Sequence, residues 1–460
     1  MIMKSIVSII FSLSLFCHAQ EQAAVSWKTA EEIISRVVPP QFPSKEFIVT
    51  DFGAKGDGVT DCSQAFAEAI TKCSSEGGGV VIVPEGKFLT GAIYLKSNVN
   101  LHVTRNAVIV FSTDPKKYLP LVYTRWEGVE LMNYSPLIYA YGEENIAVTG
   151  DGVLDGQGSS EQWWPWKGKK EYGWKNGMPN QNEGRKILMA LAEKGTPVAE
   201  RIFGEGYYLR PSFVQPYRCK NVYISGVTFK NSPMWFLNPT LCENVLIENV
   251  ATIGHGPNND GCDPESSRDV VITGCKFDNG DDCIAIKSGR NADGRRVNVP
   301  SENLVIRKCE MKDGHGGVVI GSEISGSVRN VFVEDCVMDS PNLDRALRFK
   351  TNSVRGGVIE NFFARRITVG EVAEAVVLVD FNYEEGDAGN FTPVLRNIFV
   401  SDVTAEKGKY GFYIKGYERS PVSNVEFKNC DFKNMELPNV IEHVKDMTFT
   451  NVTINGKTVR

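Results

Sequence analysis

The chain has 460 residues, 42% of them hydrophobic, and a formal net charge of −6. That length allows one large repetitive domain or two to three ordinary ones. The charge argues against a nucleic-acid partner, but it leaves an acidic substrate open, because local Arg and Lys can override the global sign.

The N-terminus reads as an export signal: Lys4, an apolar run over Ile6–Phe16, then Cys17-His18-Ala19 with small residues at −3 and −1 of a cut after Ala19. The run is too short to span a bilayer and no second one follows, so residues 1–19 are assigned to a signal peptide and the mature protein is expected to be soluble and periplasmic or extracellular. Acylation of Cys17 as a lipoprotein is the alternative, which the bulky Phe16 disfavours. Residues 20–45 form a leader with a short amphipathic helix near Thr29–Arg36. After one strand and the turn in EFIVTDFGAKGDGVT, Asp61–Ser75 has helical spacing, with Thr60 or Asp61 as N-cap and Gly77 as stop.

From Val80 onwards the chain is strand and turn, and it repeats. Asn221-Val-Tyr-Ile-Ser-Gly-Val-Thr-Phe returns from Asn244, Asp269, Asn303, Asn330, Asn397, Asn424 and Asp446, more weakly from Asn361 and early at Asn145, with spacings of 22 to 36 residues. Period-two alternation broken by bends gives strands that cannot bury their own apolar face, whereas stacked copies can. The expectation is an all-β, right-handed parallel β-helix, one domain over 46–460, with the helix at 61–75 capping its open N-terminal end. Each leading Asn suits a turn ladder, tolerating left-handed backbone and bonding to its neighbours. Cys275, Cys309, Cys336 and Cys430 fill the slot held elsewhere by Val227, Val250, Val403 and Val452, which makes them small buried apolar residues. Rungs about 4.8 Å apart would still let neighbouring cysteines bridge. Residues 157–208 interrupt the rhythm with Trp163, Trp164, Trp166, Tyr172 and Trp174 among Lys167, Lys169 and Lys170, then a helical segment from Glu183 to Lys194. This insertion suits either sugar stacking with acid recognition or a self-packed Trp cluster.

Candidate chemistry sits on successive repeats. Asp260 precedes the adjacent pair Asp281 and Asp282, which can face one cleft only if the backbone bends at Gly280. Three close carboxylates cannot all ionise freely, so at least one pKa is raised. One retained proton beside one free carboxylate is what glycosidic cleavage needs. An Asp-Asp turn taken alone could instead hold calcium. His315 lies between Gly314 and Gly316, whose missing side chains leave room for a ligand. Arg348 and Lys350, two apart on a strand, share a face and complement a sugar carboxylate. Asn382-Tyr383 is a weaker candidate.

With these residues in hand, the chain over about 46–455 resembles the pectin-degrading glycoside hydrolases of family 28, the polygalacturonases. The resemblance rests on Asn258-Asn259-Asp260, Asp281-Asp282, Gly314-His315-Gly316, Arg348-Phe349-Lys350 and the opening DFGAKGDGVTD. Asn259 stands where the family has Thr and Phe349 where it has Ile; neither change removes a reacting group. The resemblance implies inverting hydrolysis of α-1,4-galacturonosyl linkages without metal or cofactor. Asp281 is then the acid, Asp260 and Asp282 hold the attacking water, and His315 supports the acid. Arg348 and Lys350 bind the uronate on the leaving side, with Asn258 and Tyr383 as further substrate contacts. Inversion implies roughly 6.5–9.5 Å between acid and base carboxyls. The early insertion favours exo action or oligogalacturonides, because it could close one end of the cleft. The expected partner is a pectic poly- or oligosaccharide, with a monomeric protein. Hydrolysis of rhamnogalacturonan or xylogalacturonan is the nearer alternative, although family members acting on rhamnogalacturonan tend to lose the Arg/Lys pair. A calcium-dependent pectate lyase and a non-catalytic pectin-binding β-helix are the alternatives of another class.

Overall fold

The computed structural model describes residues 25–460; the expected signal peptide and Cys17 lie outside them. The repeat resolves into a right-handed β-helix. One stack of parallel strands pairs Val99 with Ile146, then Val222, Val245, Val270, Leu304, Val331, Phe362, Ile398, Val425 and Met447 in unbroken register. These side chains point inward, and nearly all are buried. A second face begins with Asp57–Asp61 and Gly86–Thr90 and runs on beside the first. The third face carries Ile284–Ile286, Val318–Gly321, Arg345–Lys350, Ala375–Asp380 and Tyr410–Lys415.

The turn ladder forms as expected. Asn145, Asn221, Asn244, Asn303, Asn330, Asn361, Asn397 and Asn424 all have φ between 52° and 60°. Their amides bond from rung to rung, for example Asn330 Nδ2 to Asn303 Oδ1 at 3.0 Å and Asn361 Nδ2 to Asn330 Oδ1 at 2.9 Å. The ten described cysteines are buried free thiols, and Cys430 sits in register between Val403 and Val452. No helix among the described residues is long and apolar enough to cross a membrane.

Helix α1, Trp27–Arg36, is longer than its sequence signal and is no loose leader. Ala30 and Ile33 pack on the outer side of the first stack, against Leu246, Val271, Val305, Phe332 and Phe363. Arg36 closes the contact with a 2.5 Å ion pair to Asp269, the acid that interrupts the Asn ladder. Helix α2, Ser63–Ser75, covers the N-terminal rung as expected, burying Phe66, Ala69 and Ile70 in the main core. Asp61 accepts from Ser63 N at 2.9 Å and so satisfies one free donor of the first turn. Helix α3, Asn182–Glu193, belongs to the insertion, and α4, Asn291–Val297, follows the strand that leaves the acid pair. The Trp cluster is self-packed: Trp163 and Trp166 have ring centroids 5.0 Å apart, with Tyr118 and Tyr208 at their edges. Lys169 and Lys170 point to solvent.

Candidate active site

The third face brings Asp260, Asp281, Asp282, His315, Arg348, Lys350, Asn258 and Tyr383 to one cavity of about 430 Å³, within the range of small-ligand pockets. Backbone pairing explains why. Gly261 N bonds to Asp282 O and Cys283 N to Gly316 O, so the acid-bearing segments lie on adjacent rungs. Arg348 follows one rung on, paired with Val319. Oxygens of Asp260, Asp281 and Asp282 lie within 4.8 Å of one another.

The glycines serve the rungs more than the ligand. Gly280 has ordinary backbone, but an added Cβ would stand 2.6 Å from Gly256 O, so it is needed where two turns touch. Gly314, at φ +152°, would bring a Cβ to 2.5 Å from Asp281 O. His315 itself stays half exposed and lines the cavity.

Cations surround the acids. His315 Nδ1 lies 3.0 Å from Asp281 Oδ1. Arg348 Nη1 and Lys350 Nζ do share a face, but they converge on Asp282, at 3.3 and 2.6 Å. The cation pair expected to be free for a sugar carboxylate is thus partly committed to an acid, leaving Arg348 Nε without a partner. Tyr383 lies beside both, its ring 5.5 Å from Arg348 Cζ and 5.3 Å from Lys350 Nζ. Asn258 Oδ1 accepts from Lys167 Nζ at 2.7 Å and Arg210 Nη2 at 2.9 Å. Asn259, at the family's Thr position, is structural: it is buried and donates to Ser232 O and Met234 O.

Several residues escaped sequence reasoning. Lys287 Nζ sits 3.6 Å from Asp260, 3.5 Å from Asp263 and 3.3 Å from Glu323, above the Trp235 ring. Arg290 pairs with Glu323 and Glu384 at 3.3 and 3.1 Å, and Arg185 with Glu127 at 2.7 Å. The three acids could share a cation by spacing alone, yet a protein cation already lies against each of them.

These contacts sort the protons. Burial, then the charge of Asp281, raises Asp260 to about 7 against the pull of Lys287. Burial also opposes charge on Asp281, but the hydrogen bond and charge of His315 prevail and hold it well below the usual carboxylate range. The Asp281 hydrogen bond in turn raises His315 to about 9, although burial opposes this. Of the three acids lining the cavity, Asp260 is therefore the one with the raised pKa, and at neutral pH the proton of the Asp281–His315 pair rests on the imidazole.

A β-helix with three acids and their counter-cations in one cavity holds the groups that glycosidic cleavage needs. The model of "Glycosyl hydrolases family 28" matches residues 205–436, and the chain belongs to that family. A second model, "Rhamnogalacturonase A/epimerase, pectate lyase-like", matches 47–103. The crystal structure of a hyperthermoactive exopolygalacturonase from Thermotoga maritima is 50% identical, superposes with TM-score 0.92, and is matched over 94% of this chain and 97% of its own. An exo-poly-alpha-D-galacturonosidase of Dickeya chrysanthemi is 27% identical over 89% of this chain and 70% of its own length. A probable polygalacturonase of Vitis vinifera is 29% identical over 83% and 73%.

Proposed function

We propose that this glycoside hydrolase is an exo-acting polygalacturonase, removing sugar units from the non-reducing end of α-1,4-linked galacturonate chains. One observation carries the exo reading: residues of the 157–208 insertion wall the cavity. Lys167, Gln181, Asn182 and Arg185 line it together with the acids, on the side of the Asn258 turn, rungs before Arg348 and Lys350. With the leaving sugar beside Arg348 and Lys350, the walled side receives the terminal sugar.

Asp281 is the proton donor in this reading, because its side chain is 17% exposed to the cavity while those of Asp260 and Asp282 are 3% and 1%. Its proton comes from His315 Nδ1 as the leaving oxygen takes up negative charge. Asp260, once ionised, works with Asp282 to activate water for attack on the opposite face of the sugar, with inversion. The decisive experiment digests oligogalacturonates labelled at the reducing end. Stepwise shortening from the unlabelled end supports the assignment, and random internal cuts refute it. Products absorbing in the ultraviolet, formed only with calcium, would point to a lyase. Proton NMR of the newly formed anomer tests inversion, and homogalacturonan compared with xylogalacturonan and rhamnogalacturonan tests the backbone preferred. We also infer export, from the N-terminal signal; cell fractionation tests it.

A further inference from the structure

Nearly every cation around the cavity already has an acid. His315 has Asp281, and Arg348 and Lys350 have Asp282. Lys287 has Asp260, Asp263 and Glu323, while Arg185 and Arg290 have Glu127, Glu323 and Glu384. Lys167 is the exception. Its ammonium lines the cavity and donates to the neutral Asn258 Oδ1 at 2.7 Å, and no carboxylate of the described residues lies within ion-pairing distance. Arg210 also lacks an acid, but its donors are taken up by Gln181, Asn258 and the carbonyls of Pro233 and Pro257. Lys167 has three donors and uses one. Burial pulls its pKa down, with Glu127 and Asp281 only partly compensating from further away.

A half-buried ammonium without a counter-ion is costly unless an anion arrives. We propose that Lys167 is the specificity residue for the carboxylate of the terminal galacturonate, on the non-reducing side of the scissile bond. This rests on the exo reading above. The insertion then has two consequences: it closes the pocket, and it requires that the sugar enclosed there be acidic and unesterified.

The test pairs two substrates with three enzymes. Trigalacturonate and its analogue methyl-esterified only on the non-reducing sugar are hydrolysed by wild type, Lys167→Met and Lys167→Arg, and kcat/KM is measured for each. Wild type should prefer the free acid by on the order of 10- to 100-fold, as expected for a charge-assisted contact. Lys167→Met should lose that preference by slowing far more on the free acid than on the ester, and Lys167→Arg should keep most of it. An equal loss on both substrates would mean that Lys167 only positions Asn258, and would overturn the inference. So would a preference that survives in Lys167→Met. If wild type cuts internally and ignores the terminal ester, the exo reading fails first and takes this inference with it.

Discussion

Replacing Lys287 with Met removes a buried charge at nearly constant volume, and it tests the proton arrangement of the site directly. Lys287 lies 3.6 Å from Asp260. At an effective dielectric near 20, unit charges at that distance interact by about 4–5 kcal/mol, some three pKa units at about 1.4 kcal/mol each. Asp263 and Glu323 share the same ammonium and will take up part of the change, so a rise of one to two units at Asp260 is expected. The sign is fixed: Lys287 favours the carboxylate, and without it Asp260 holds its proton to higher pH. The rising limb of kcat/KM on digalacturonate, expected near pH 7 in wild type, should move up accordingly. Stability gives a second readout. A carboxyl raised by folding adds stability below its ordinary pKa, and that contribution is lost as pH rises through about 7; in Lys287→Met the loss should extend further upward. The melting temperature should fall most at alkaline pH, where Asp260 and Asp263 are left without the ammonium that faces them both. A folded Lys287→Met enzyme whose rising limb stays where wild type has it would refute the assignment of that limb to Asp260.

Asp281→Asn should lower kcat by about 10²- to 10⁴-fold with an unchanged circular dichroism spectrum; an active, folded variant would remove Asp281 as the donor. His315→Asn frees Asp281 from the cation that holds its pKa down, so the falling limb expected near pH 9 should shift towards acid, as read from kcat/KM against pH. Asn330→Ala loses two ladder bonds and strains a left-handed residue, costing about 2–4 kcal/mol. Asn330→Gly loses only the bonds, so equal denaturation midpoints for the two would contradict the backbone term. Ile33→Ala should cost about 2–4 kcal/mol if α1 is docked in solution; an unmoved midpoint would mean it is not.

The fold was legible because its repeat is written in single residues: one Asn per turn, apolar alternation after it, and Cys exchanging with Val in one slot. The acids were legible for the same reason, since Asp260, Asp281–Asp282, His315 and Arg348–Lys350 fall on consecutive rungs. The docking of α1 also leaves a trace in the sequence. Val245-Leu246-Ile247, Val270-Val271-Ile272 and Val331-Phe332-Val333 are apolar at three successive positions, and a strand apolar on both sides must be covered on both. Inward residues fill the core, and the middle ones await an outer partner. The cations were harder. Lys287 lay in plain view beside the acid pair, but nothing in a single strand says that its ammonium reaches Asp260, Asp263 and Glu323 at once. Arg185, Arg290 and Glu384 converge from an insertion, a loop and a turn, and no periodicity places such segments.

The same distinction separates what the pocket requires from what the scaffold supplies. Stacking, together with the adjacency of Asp281 and Asp282, brings oxygens of the three acids within 4.8 Å of one another, a spacing at which they would repel and abandon their charges if left alone. Relief comes from one cation set against each acid: Lys287 beside Asp260, His315 beside Asp281, and Lys350 reaching back to Asp282. Lys287 and Lys350 both pull on Asp260, which keeps it near 7 against burial and the charges of its neighbours. Homologous β-helices could keep every rung of this ladder and still lose turnover by changing one of those three cations, and an inactive Lys287→Met enzyme with intact fold would be the clearest instance.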